Sequence, residues 1–351
     1  MSNYGKTLII LSPGFPKDEA DSTCLPFPQL FVRKLKELNP SLNIIVLAFQ
    51  YPYTSSEYKW HDVTVIPFNG KDKGKLKRLM IWKSVWKRLK KIMKENDVSG
   101  ILNFWLGECA LIGKYAAKKY HVKNFTWLLG QDAKKGNRYF SLVKPAAQNL
   151  IALSDFLNEE FYRNYKIRVA NVIPPGIDKK DFPLQSPQRN IDIMGAGSLI
   201  PLKRYDIFIK VVAQLAKKHP AIKAIICGNG PEHVALQEMI NARGLSENIQ
   251  LYGELPRERV LDLMQQSKIF LHPSSYEGFG FVLSEALYAG AHVLSFCRPM
   301  NNIFKHHQVV ISEAAMIDEV DKILSATVAD HSAVLNFSIE ETCSKVMSLY
   351  D

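Results

Sequence analysis

Two carboxylates separated by seven residues, Glu277 and Glu285, bracket the run Gly278-Phe279-Gly280-Phe281. Glycine at 278 and 280 lets the backbone come close to a ligand. The run opens a helix, and the unpaired N–H groups of a first helical turn carry partial positive charge suited to a phosphate. Helical side chains lean toward the N-terminus, so Glu285 can reach back to the mouth where Glu277 sits. The chemistry implied is an anion site flanked by carboxylates. A plainer reading also stands, since the macrodipole alone favours an acid early in a helix and Glu277 suits an ordinary loop.

The elements that must hold this loop follow from periodicity. Residues 269–271 read as the end of a buried strand, 273–280 as the loop, 281–289 as a helix closed by Gly290, and 293–296 as the next strand. Further strands are predicted near 191–194, 222–227 and 249–252, separated by amphipathic helices. The first half alternates in the same way. Its strands fall at 7–11, 43–49, 63–68, 100–105, 125–129 and 150–153, and its helices at 27–38, 76–94 and 109–119, with another to about 165 capped by Ser154-Asp155. Aliphatic and β-branched runs alternating with helices predict parallel sheets covered on both faces. The polar, proline-bearing stretch 178–190 reads as a linker. Two doubly wound sheets so joined predict a ligand cleft at the carboxyl ends of their strands. Phe337-Ser338-Ile339-Glu340-Glu341 is a capping box opening a last helix to about 350.

A chain of 351 residues, 47% hydrophobic and 23% charged, has room for two cores of ordinary domain size. The apolar run near the start is broken by Ser12 and Pro13, too short for a bilayer span and unlike a signal peptide, so a cytoplasmic location is expected. Five scattered cysteines, without paired spacing, read as reduced core residues. A formal charge of +11 favours an anionic partner, whether nucleotide phosphate, anionic lipid or nucleic acid. Base-stacking platforms and groove-reading motifs are missing, which argues against nucleic acid.

Much of the positive charge lies in 71–94, where Leu79, Trp82, Trp86, Leu89 and Met93 recur at helical spacing. One reading packs that stripe on the first sheet beneath a solvated basic face. The other rests a tryptophan-bearing basic face on anionic membrane as a peripheral contact.

Glu277-Gly278-Phe279-Gly280-Phe281-Val282-Leu283-Ser284-Glu285, followed by Ala286, Ala289, Gly290 and Val293, resembles the E-x7-E signature of retaining glycosyltransferases of family 4. The resemblance spans most of the chain and is strongest from 191 to 294. It implies an α/β, GT-B architecture of two doubly wound Rossmann-like domains facing each other across a cleft. An acceptor-side domain would occupy 1–180 and a nucleotide-sugar domain 191–335, with a helix at 336–351 packing back on the first. It also implies metal-independent hexosyl transfer from a UDP- or GDP-linked sugar to a glycan or lipid-linked hydroxyl, without a cofactor, in cell-surface glycan or polysaccharide biosynthesis. A lipid-linked acceptor would place the protein on the cytoplasmic face of a membrane.

Carried over residue by residue, Gly197-Ser198-Leu199-Ile200-Pro201-Leu202-Lys203-Arg204 resembles the family's G-R-L-x-x-x-K element, with Ser198 where arginine is usual. Lys203 would sit on the donor phosphates as a point charge and stabilise the leaving nucleotide, with Arg204 adjacent. Gly228 and Asn229 resemble the G-x-G-P element, Leu255 lies in the loop that faces the base, and Gly14 stands in the flexible loop after the first strand. Leu129-Gly130-Gln131-Asp132 resembles H-G-x-D with leucine in the histidine's place, leaving Asp132 to orient an acceptor hydroxyl. Glu277, Gly278, Phe279, Gly280, Phe281 and Glu285 complete the donor site, and catalytic roles fall to Glu277, Lys203 and Asp132. Glu277 is read either as nucleophile or as a group holding the donor. Plain readings stand beside these: a solvated Lys-Arg pair at a helix start, a structural Gly-Asn-Gly-Pro turn, and a turn role for Asp132. No Asp-x-Asp pair occurs, no metal ligand set is expected, and His306-His307, without carboxylate company, reads as surface. Rival functions are a phosphorolytic enzyme of the same fold, a basic nucleic-acid-binding protein, and a non-catalytic relative.

Overall fold

The computed structural model describes residues 5–71, 74–182 and 188–351. In chain order these hold β1 (Thr7–Gly14), α1 (Pro26–Leu38), β2 (Asn43–Tyr51), β3 (Tyr58–Trp60), β4 (Val63–Pro67), α2 (Lys75–Glu95), β5 (Val98–Phe104), α3 (Glu108–Tyr120), β6 (Lys123–Leu128), α4 (Arg138–Val143), β7 (Leu150–Ala152), α5 (Asp155–Tyr165) and β8 (Asn171–Val172). They continue with β9 (Ile191–Ala196), α6 (Tyr205–Leu215), β10 (Ala224–Cys227), α7 (His233–Ala242), β11 (Ile249–Gly253), α8 (Arg257–Gln265), β12 (Ser267–His272), α9 (Phe281–Tyr288), β13 (His292–Ser295), β14 (His307–Val309), α10 (Glu313–Ser325) and α11 (Ile339–Ser348). Two compact units result, Met1–Pro175 with Ile339–Asp351, and Gly176–Ser338.

The first unit is built on an eight-stranded sheet of order β3-β4-β2-β1-β5-β6-β7-β8, parallel except for the antiparallel β3–β4 pair. Leu8 to Leu11 are fully buried, as a strand covered on both faces requires. On one face Ile9, Leu11, Ile45, Leu47 and Ile101 meet α2 and α3. On the other, Phe27 and Phe31 of α1 stand edge-on to Trp127, each with ring centroids 5.1 Å away, an arrangement that suits the ring quadrupoles. α11 packs against α1, where buried Lys34 lies 3.3 Å from Glu340, and the Tyr350 hydroxyl donates to the Ile101 carbonyl at 3.0 Å.

From Trp82 onward the α2 stripe faces the core, while Leu79 does not. Val85, Leu89 and Ile92 are buried, Trp82 and Trp86 pack beside them, and the Trp82 indole N–H donates to Glu108 at 2.6 Å. The tryptophans are therefore not a membrane face. What α2 leaves in solvent is Leu76, Leu79 and Met80, at 80%, 57% and 59% exposure, flanked by exposed Lys77, Lys83 and Lys87.

The second unit is a six-stranded, all-parallel sheet of order β11-β10-β9-β12-β13-β14. The chain starts at its centre, builds outward through β10 and β11, then returns to the other side of β9. Order reverses between β9 and β12, so the loops after these two strands flank the crevice where doubly wound sheets bind ligands. Apolar clusters lie on both faces, one around Phe208, Val212 and Ile226, the other around Met194, Phe270 and Leu287. Residues 178–182 belong to this unit instead of hanging free. The Asp178 side chain accepts from Lys180 N at 3.1 Å, and buried Phe182 stands edge-on to Tyr288 at 4.7 Å. The linker reading for 183–187 lies outside the described residues.

Candidate functional site

The loop leaving β9 is held by the loop leaving β10. Gly197 N donates to Cys227 O at 2.9 Å and Leu199 N to Asn229 O at 3.0 Å. The approach is close enough that a methyl on Gly228, already at φ +139°, would stand 1.9 Å from the Gly197 carbonyl oxygen. That contact accounts for glycine at 228 by packing alone. Farther along, the Leu202 carbonyl accepts from Ser275 N at 3.0 Å and from the Ser274 hydroxyl at 3.2 Å, tying the β9 loop to the β12 loop.

Across this joint the Lys203 ammonium pairs directly with the Glu277 carboxylate. His272, the last residue of β12 and 3% exposed, places Nε2 2.9 Å from the same Glu277 oxygen. Burial lowers the His272 pKa, against the pull of Glu277, so the ring is neutral and its Nε2–H donates to the carboxylate. Burial also works against ionisation of Glu277, but the His272 hydrogen bond and the Lys203 charge outweigh it and hold the carboxyl at about 2. Glu277 is thus an anion at any neutral pH, and Lys203 a cation fixed at the switch-point crevice.

Glu285 takes a different partner. It lies on α9, buried, and accepts from Arg257 Nε at 2.9 Å, with Nη2 2.8 Å away in the same ion pair, while Arg257 Nη1 donates to Asp181 at 2.6 Å. Burial raises the Glu285 carboxyl, and the guanidinium opposes that rise. Arg257 is the first residue of α8, so one planar fork joins α8, α9 and the turn after residue 178.

The remaining expected residues fall as follows. Gly280, at φ +69°, caps α9, and Phe279 is buried edge-on to Phe337 at 5.9 Å. Phe281 lies 6.0 Å from the Arg257 guanidinium. Gly278 is half-buried in the β12 loop, Ser198 is exposed in the β9 loop, and Leu255 packs on the α8–α9 core. Arg204 pairs with Asp206 at 3.0 Å and so points its charge along α6. Gly14 and Asp132 belong to the first unit. Gly14 ends β1, its carbonyl accepting from the Ser12 hydroxyl at 2.5 Å. Asp132 accepts from Leu106 N at 2.9 Å, Gly130 N at 2.9 Å and Leu129 N at 3.2 Å, stitching the loops after β5 and β6. Burial raises its pKa to about 6 despite those donors. The geometry is that of a turn anchor.

His306 and His307 are not surface groups. The His306 ring is 3% exposed, lies tilted against the His292 ring at 4.6 Å, and has Asp330 3.6 Å away; His307 Nε2 meets the Ser295 hydroxyl at 2.9 Å. Among the described residues no three His, Cys, Asp or Glu side chains are grouped to hold a metal. Sequence reasoning missed His272 and Arg257. For His272 a signal existed, five residues before Glu277, whereas Arg257 lies 28 residues from Glu285 and only the fold brings them together.

Residues 176–332 match the sequence model of the family described as "Glycosyl transferases group 1". Over 127 residues the chain is 33% identical to the Phosphatidylinositol N-acetylglucosaminyltransferase GPI3 subunit of Saccharomyces cerevisiae, covering 34% of this chain and 28% of that protein. Its fold is similar to that of a glycosyltransferase from Rickettsia africae, with TM-score 0.74 at 18% identity over 99% of this chain and 98% of the other. It is also similar to Anabaena HepE, crystallised in complex with UDP and glucose, with TM-score 0.72 at 15% identity over 98% and 99%. Residues 176–332 thus carry the sequence pattern of the group 1 glycosyltransferases, and the two-sheet GT-B architecture is similar to that of solved glycosyltransferases.

Proposed function

We propose that the protein is a retaining glycosyltransferase that takes a hexose from a UDP- or GDP-linked donor and passes it to a hydroxyl acceptor. The observation that carries this reading is the Lys203–Glu277 pair at the crevice between β9 and β12, a cation held beside a carboxylate that is ionised at neutral pH. The bond between the anomeric carbon and the diphosphate breaks, its electron pair leaving on the phosphate oxygen. Lys203 meets that developing charge. The acceptor oxygen bonds to the same sugar face and its proton passes to the departing diphosphate, while Glu277 holds the donor. No metal enters this scheme, and no cofactor. A thermal-shift screen with UDP, GDP and their sugars, with and without EDTA, tests it, because a ligand bound to the native state raises the melting temperature by mass action. One nucleotide should stabilise the protein equally with chelator present. Loss of the shift on chelation would contradict the metal-free site.

The yeast relative's name couples its activity to phosphatidylinositol, and a membrane-borne acceptor fits the surface of α2. Leu76, Leu79 and Met80 would enter the interface of an anionic cytoplasmic leaflet while the nearby lysines meet headgroups, each worth about 1 kcal/mol. No helix among the described residues is long and apolar enough to span a membrane. The parent should sediment with anionic vesicles at low salt and be released at high salt. The Leu76→Glu, Leu79→Glu, Met80→Glu variant should stay in the supernatant. Equal sedimentation of the two proteins would end this placement.

A further inference from the structure

Tyr205 opens α6 directly after the β9 loop, and its ring fills the space left by glycine on β9. A methyl on Gly195 would meet its Cε1 at 3.1 Å, and one on Gly197 would stand 3.2 Å from its hydroxyl, 3.6 Å from Lys203 Cε and 4.0 Å from Lys203 Nζ. The hydroxyl and the ammonium thus converge over Gly197, which carries no side chain and is only half-buried. Tyr205 is 2% exposed, yet its hydroxyl has no hydrogen-bond partner among the described residues. Leaving such a buried donor unused is costly, and its neighbours on the apolar side, Phe208 among them, offer it nothing. Burial, with Glu277 nearby, raises the phenol far above its ordinary value, so it stays protonated.

We propose that the Tyr205 hydroxyl is a ligand-binding group of the donor site, donating to a diphosphate oxygen that lies over Gly197 and that Lys203 also contacts. The inference rests on the nucleotide-sugar reading and extends it. A neutral donor placed beside a cation suits an anionic oxygen better than a base or a ribose, and the glycine makes room for that oxygen. The hydroxyl acts on binding and not on the fold.

Tyr205→Phe separates these roles. Without ligand its melting temperature should equal or exceed the parent's, since an unpaired buried hydroxyl has been removed. Calorimetric affinity for whichever of UDP and GDP the parent binds should fall by at least about tenfold, as for a lost hydrogen bond to a charged group. Affinity for the matching nucleoside, which lacks phosphate, should be unchanged. Equal diphosphate affinity in parent and variant would overturn the proposal, as would an equal loss for the nucleoside. A melting temperature several degrees lower without ligand would make the hydroxyl structural and likewise overturn it. Failure of the parent to bind either diphosphate would instead remove the donor reading itself.

Discussion

Replacing Lys203 by alanine should lower sugar transfer by about 10²-fold or more, the usual effect of losing one fixed stabiliser of a developing anion. The effect should appear in kcat as well as in donor affinity, because the charge on the leaving diphosphate is greatest in the transition state. Arg204 is not placed to compensate. It is half-exposed and committed to Asp206, whereas Lys203 lies across the β9–β12 joint against Glu277. Steady-state kinetics with a saturating acceptor would measure this. Activity within about threefold of the parent would assign the phosphate role to another group.

Arg257→Met should cost stability on the order of 3 kcal/mol or more, measured by urea unfolding of the second unit's transition. The substitution strands buried Glu285 and partly buried Asp181, the two carboxylates that share the guanidinium. Breaking one side of a buried pair is far more damaging than deleting the whole pair. The combined variant Arg257→Met, Asp181→Asn, Glu285→Gln should therefore recover much of the loss. Arg257→Lys should recover little, since a single ammonium does not reproduce a fork that reaches two carboxylates at once. A loss under about 1 kcal/mol for Arg257→Met would show that the network is screened by solvent.

How much of this was legible in the sequence depends on whether the evidence was local. The strand, loop and helix around Glu277 could be read because glycine at 278, 280 and 290 and the aliphatic run at 269–271 act within one supersecondary unit. The alternation of both halves predicted two doubly wound parallel sheets, and the structure has them. Lys203 was identifiable through the resemblance of 197–204 to the G-R-L-x-x-x-K element. Its pairing with Glu277, 74 residues later, was not, because only strand order brings those loops together. Glu285 illustrates the same limit: lean along the helix directs it toward the loop mouth, but the Arg257 side chain from a neighbouring helix captures it. His272 escaped notice because the histidines were weighed as metal ligands and not as donors to a carboxylate. The α2 stripe was visible as a period of 3.6, yet tryptophan suits a core and a lipid interface alike. The choice between them came from the Glu108 carboxylate, which receives the Trp82 indole.

The central claim is that a nucleoside diphosphate is held at the carboxyl ends of β9 and β12 by the loops containing Lys203 and Glu277. Hydrogen–deuterium exchange with and without saturating UDP or GDP tests it most directly, because bound phosphate should protect the loop amides it touches. Protection is expected in peptides covering 196–204, 228–232 and 273–285, and it should vanish in the Lys203→Ala protein. Protection confined to other segments, with these three unchanged, would contradict the account.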